Sequence, residues 1–96
     1  MTIEKNVDGC VATISLTGWL DTQSAPEFEA ALVGLGQEVT SLVLDLKGLE
    51  YISSAGIRQI VSAYKKMNGA LIVRNVTEEV MDVFNMSGVS KKLNIE

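Results

Sequence analysis

Leu42-Val43-Leu44-Asp45-Leu46 is followed, after Lys47–Tyr51, by Ile52-Ser53-Ser54-Ala55-Gly56-Ile57, and this stretch decides the fold. The first five residues are a short, nearly continuous apolar run, which predicts a central strand covered on both faces. The span Lys47–Tyr51 reads as a loop. Beyond it Ile57, Ile60, Val61 and Tyr64 recur at helical spacing. Lys65 and Lys66 complement the dipole at that helix's end, and Asn68-Gly69 stops it. Ala70-Leu71-Ile72-Val73 predicts another buried strand. A strand, a helix and a strand in this order imply a parallel pair joined by a right-handed crossover.

The pattern continues on both sides. Upstream, Val11–Thr17 alternates apolar and polar residues as a half-buried strand does. Asp8-Gly9 predicts a hairpin turn pairing it antiparallel with Thr2–Val7, and Gly18 and Asp21 end it. Ser24 and Glu27 have capping-box spacing around Pro26, and Phe28, Ala31, Leu32 and Leu35 give a helix of about three turns, closed by Gly34 and Gly36. Downstream, Thr77-Glu78-Glu79 opens a third helix with Val80, Val83 and Phe84 as its apolar stripe, and a short strand follows near Lys92–Ile95. The predicted class is α/β with a mixed sheet, in the order β-β-α-β-α-β-α-(β), over a single domain, residues 1–96.

Composition narrows the function. The chain has 96 residues, 47% of them hydrophobic, which suffices for one core. Twelve acids against eight Lys and Arg give a net charge of -4, so nucleic acid is a poor partner. Histidine is absent, which excludes His-based triads, His-ligated metals and histidine phosphorelay. The one cysteine, Cys10, has no disulfide partner and reads as a small hydrophobe in a reducing compartment. No phosphate-binding glycine loop occurs, no cofactor is implied, and no apolar run is long enough to cross a bilayer. The opening Met1-Thr2-Ile3-Glu4-Lys5 lacks a signal peptide's apolar segment, so the expectation is a cytoplasmic protein without membrane insertion.

Sites in open α/β sheets lie outside the carboxyl ends of the strands. The candidates there are Asp21, Asp45 and Tyr51–Arg58, in which Ser53 and Ser54 open a helix. One reading makes these serines N-caps, worth on the order of 1 kcal/mol. The other makes an exposed hydroxyl, flanked by small residues, an acceptor for phosphate that the helix N-terminus tolerates. Spacing alone favours the cap. Trp19, placed in the loop after the second strand, is read equally as a packed residue or an interface anchor. Asp21 and Asp45 do not make an acid/base pair without a reason for a raised pKa. Met81 and Met86 are core fillers or part of a docking face.

The run from Leu44 to Ile57 resembles the signature of STAS domains, in particular bacterial anti-sigma factor antagonists, roughly Asp-Leu-Ser-x-Val-x-Phe-Met-Asp-Ser-Ser-Gly-Leu after a strand. Leu16-Thr17-Gly18-Trp19-Leu20-Asp21 resembles the family's Leu-x-Gly-x-Leu-Asp turn, and Phe84–Val89 its Phe-x-x-Ser-Gly-Leu segment. The resemblance implies a binding module rather than an enzyme. Its partners would be an anti-sigma factor serine kinase, bound when the module is unphosphorylated, and a serine phosphatase. Phosphorylation would fall on Ser54, with Trp19, Asp21, Asp45, Ser53, Ala55, Gly56 and Arg58 contacting the partner. The sequence departs from the signature at Ser53, where the family has aspartate, and at Ala55, where it has a second serine. Ser53 thereby becomes a second candidate acceptor. The alternatives are a STAS-like subunit on the ATPase of a lipid-transport ABC system and, more remotely, a small α/β enzyme.

Overall fold

In the computed structural model, which describes residues 1–96, five strands form one sheet in the order β1-β2-β3-β4-β5. β1 (Thr2–Asp8) and β2 (Val11–Leu20) pair antiparallel, while β3 (Ser41–Ile52), β4 (Leu71–Arg74) and β5 (Asn94–Ile95) add in parallel. The helices α1 (Ala25–Val33), α2 (Ser54–Lys66) and α3 (Glu78–Ser87) make the three crossovers. The α/β class and the element order agree with the expectation from sequence.

The hairpin turns one residue later than expected. Asp8 and Val11 are the last Cα pair, so the two-residue loop is Gly9-Cys10, and Gly9 takes the positive φ of +63° that such a tight turn requires. Cys10 is exposed at this tip rather than packed as a small hydrophobe.

The larger correction concerns β3. Lys47–Tyr51 is not a loop but the second half of a twelve-residue strand. The β2–β3 ladder shifts register between Ser15 and Thr17 and again between Gly18 and Trp19, each time placing one extra residue on β3. Two bulges reset the pleat, so Leu42, Leu44 and Leu46 are buried and the next inward residues are Leu49 and Ile52, three apart. Simple alternation fails there, and a loop is the natural misreading. The same pairing carries β2 to Leu20, so Trp19 sits in a strand and not in a loop.

The sheet advances in one direction from β2 to β5, and right-handed crossovers then place every helix on the same face. That face carries the core, with Ala12, Ile14, Leu16, Leu71 and Val73 meeting Phe28, Leu32, Ile60, Val80 and Phe84. The opposite face, with Thr13, Ser15, Val43, Asp45 and Ile72, is only half-buried. The expectation that β3 and β4 are covered on both faces is therefore corrected. Met81 packs against the core, whereas Met86 is 87% exposed on the far side of α3.

Candidate functional site

The carboxyl ends of β2 and β3 reach the same level, Leu20 opposite Ile52, and the chain leaves both toward helices. At this edge the Ser53 N–H donates to the Leu20 carbonyl at 2.9 Å, which ties the entry of α2 to the end of β2. Ser53 is the N-cap of α2, in an extended conformation, and its Oγ accepts from the Gly56 N–H at 3.3 Å. Ser54 is the first helical residue. It is exposed, and its hydroxyl makes no intramolecular hydrogen bond. The two serines thus divide the two readings between them: Ser53 is the cap and Ser54 is the free hydroxyl.

Gly56 allows this seating. A Cβ at this position would lie 2.7 Å from the Leu20 carbonyl oxygen, 2.8 Å from Ile52 Cγ1 and 2.9 Å from Leu20 Cγ. Ala55 is half-buried beside it and Arg58 is exposed one turn into the helix. The first turn of α2 holds no acid, unlike α1 with Glu27 and α3 with Glu78 and Glu79.

The turn leaving β2 forms the neighbouring wall. Asp21 Oδ1 accepts from the N–H groups of Gln23 and Ser24 and from the Ser24 hydroxyl, each at 3.0 Å. The one proton of the Ser24 hydroxyl is shared between that oxygen and the Trp19 carbonyl, 2.7 Å away, and the hydroxyl oxygen accepts from the Asp21 N–H at 2.9 Å. Ser24 is the N-cap of α1 by position, but no capping box forms, because its hydroxyl points back to β2 instead of to the helix. Asp21 supplies the acceptors for this turn. The Ser24 backbone N–H first, with the Ser24 hydroxyl and the Gln23 N–H, holds the Asp21 carboxyl below its ordinary pKa.

A pH dependence follows with a definite sign. A carboxylate whose pKa is lowered by folding stabilises the fold above its unfolded value of about 3.9, and that contribution disappears as pH falls through the lower folded value. Wild type is expected to exceed Asp21→Asn in urea midpoint at pH 7, and the gap to close progressively below pH 4. An equal gap at pH 7 and pH 2.5 would contradict this assignment.

Asp45 does not join the cluster. With Lys47–Tyr51 extended, roughly 20 Å of strand separates it from Ser53. It lies on the open face, where Oδ1 accepts from the Lys47 N–H at 3.0 Å and from Asn75 Nδ2 at 3.1 Å. Within the candidate segment Tyr51–Arg58 the structure singles out Tyr51 instead. Tyr51, 46% exposed, pairs with Trp19, 57% exposed, their ring centroids 5.6 Å apart and their planes at 57°. Read as a loop, Tyr51 had no partner to single it out. No group of three or more His, Cys, Asp or Glu side chains is arranged to hold a metal, and no helix is long and apolar enough to cross a membrane.

Fold and site together define a class: a small α/β domain with all helices on one sheet face and an exposed serine opening a helix at the carboxyl edge. The STAS domain family model matches residues 2–96, and the chain belongs to that family. Among its relatives, an anti-sigma-B factor antagonist of Bacillus subtilis is 28% identical over 85 residues, covering 85% of this chain and 78% of that protein. BtrV of Bordetella bronchiseptica, which also bears the anti-sigma factor antagonist name, is 33% identical over 92 residues, covering 92% and 78%. The anti-sigma factor antagonist SpoIIAA in its unphosphorylated form matches with a TM-score of 0.82 at 20% identity, covering 99% of this chain and 88% of that one. A Bacillus SpoIIAA in the phosphorylated form matches at 0.67 and 18%, covering 99% and 91%. At these identities the structural likeness concerns the fold alone.

Proposed function

We propose that this chain is an anti-sigma factor antagonist that binds an anti-sigma factor serine kinase and is switched off by phosphorylation at Ser54. The observation that carries the reading is the contrast between the two serines, Ser54 exposed and unbonded at the first helical position, Ser53 engaged as the cap. The names of its relatives support the class of partner, and the two forms in which SpoIIAA has been solved support a phosphorylation switch.

The chain itself is a binding module and not an enzyme. Ser54 Oγ attacks the γ-phosphorus of the kinase's ATP. The new O–P bond forms as the bridge to the β-phosphate breaks, ADP leaves, and the hydroxyl proton passes to a base on the kinase. The product carries about two negative charges at the positive end of α2, beside free N–H groups, so the helix persists while the surface changes sign. Trp19, Asp21, Ser53, Ala55 and Arg58 flank the acceptor on the docking face, and Gly56 is buried beneath it against Leu20 and Ile52. A serine phosphatase restores the hydroxyl by hydrolysis, and the protein works in the cytoplasm with its partners.

Incubation with the anti-sigma factor kinase of the same genome and Mg-ATP, followed by peptide mapping in a mass spectrometer, is expected to place one phosphate on Ser54. Phosphate on Ser53 alone, or on neither serine, would overturn the switch.

A further inference from the structure

Trp19 and Tyr51 are the two exposed aromatics at the carboxyl edge, and they touch each other rather than the core. Their Cα atoms are partners in the β2–β3 ladder, one step before the Leu20–Ile52 pair whose Leu20 carbonyl receives the Ser53 N–H. The aromatic pair is therefore continuous, along the same two strand ends, with the turn that presents Ser54.

Its backbone is fixed. The Trp19 carbonyl is held by the hydroxyl of Ser24, which is itself the one buried polar residue of the chain. A large apolar ring kept in water on a rigid strand is the arrangement of a preorganised anchor, because little freedom is left to lose on binding.

The charges nearby select the occupant. A depression of about 190 Å³ beside Trp19 is lined also by Asp21 and Glu27, two carboxylates against the single N-terminal amine of Met1. No Lys or Arg lines that depression. Aromatic faces bordered by carboxylates favour a cation that drops its apolar stem against the rings.

We infer that Trp19 and Tyr51 form a cation-accepting aromatic anchor, which receives an arginine or lysine of the partner protein that docks over Ser54. This rests on the antagonist reading above and specifies the chemistry of that partner's surface.

The chain contains a single tryptophan, so its emission reports on this position alone. Full-length unphosphorylated protein is titrated with the anti-sigma factor kinase of the same genome, following both heat and Trp19 fluorescence. The emission is expected to shift to the blue on binding, and the affinity to fall as salt is raised. Trp19→Ala and Tyr51→Ala are each expected to weaken binding about tenfold or more with little change in thermal midpoint, since both rings are exposed. Trp19→Leu keeps apolar area but not the π face, and is expected to bind as poorly as Trp19→Ala. Trp19→Leu binding like wild type would overturn the cation-accepting role. Tight binding with unchanged emission and unaffected alanine variants would overturn the anchor and leave the antagonist reading standing. Wild-type protein that fails to bind the kinase at all would remove the antagonist reading and the anchor with it.

Discussion

Ser54→Asp is expected to lose at least a hundredfold in affinity for the anti-sigma factor kinase, while Ser54→Ala binds as wild type does. The asymmetry follows from the place of the side chain. Ser54 stands exposed at the start of α2, between the Ser53 cap and the small residues Ala55 and Gly56, so a partner's surface meets it closely. Its hydroxyl makes no bond within the chain, and removing it leaves nothing unsatisfied. A carboxylate at the same point must be stripped of water when the partner closes, and it adds to the negative charge of Asp21 on the adjoining turn. An unpaired charge buried at an interface costs several kcal/mol, and about 3 kcal/mol is already a hundredfold. The fold pulls the other way. An acid in the first turn of a helix is stabilising by about 0.3–1 kcal/mol, so the thermal midpoint of Ser54→Asp should equal or slightly exceed that of wild type. Calorimetric titration of both variants, with their melting curves alongside, separates lost recognition from lost structure. Wild-type affinity for Ser54→Asp, or an equal loss in Ser54→Ala, would defeat the switch.

The order of elements was legible because each strand and helix announced itself by its own period. α2 shows Ile57, Ile60 and Tyr64 on one side with Lys65 and Lys66 at its end, and nothing in the tertiary structure contradicts that pattern. The second half of β3 was not legible, since a bulge breaks period two without leaving a turn residue to mark where it does so. Misreading Lys47–Tyr51 had two consequences for the site. It drew Asp45 toward Ser54 by shortening the path between them, and it left Tyr51, a candidate by its place at the edge, without the Trp19 partner that stands opposite it. The open sheet face was hidden for a related reason. Val43 and Ile72 are apolar and read as covered, yet which face the helices occupy is settled by the uniform advance of the strands and not by any residue in them. Ser53 and Ser54 were both visible as candidates. Their roles separated only when the Ser53 hydroxyl was found turned toward the Gly56 N–H.

Gly56→Ala is expected to destabilise the protein by about 1–3 kcal/mol, against the ordinary preference of helices for alanine. In an exposed helix interior this substitution gains up to about 1 kcal/mol, so its sign here tests how tightly α2 meets β2. The added Cβ would lie 2.7 Å from the Leu20 carbonyl oxygen, well inside van der Waals contact, and the two other close atoms belong to the buried side chains of Leu20 and Ile52. None of these is the free end of a flexible surface chain. The carbonyl is also the acceptor for the Ser53 N–H, so moving it loosens the cap at the same time. Relief must come from α2 lifting off the sheet edge. That shift displaces Ser54 and Arg58 with it, and partner binding should weaken even at temperatures where the variant is fully folded. For a domain of this length each kcal/mol moves the thermal midpoint by about 4–8 °C, which makes the effect measurable by circular dichroism. Ile52→Ala in the same chain removes one of the three contacts but not the carbonyl, so it should not restore stability to the level of Ile52→Ala alone. A Gly56→Ala protein that melts at or above the wild-type temperature would mean that the helix seats more loosely than the 2.7 Å approach requires, and that glycine at this position serves some purpose other than close packing.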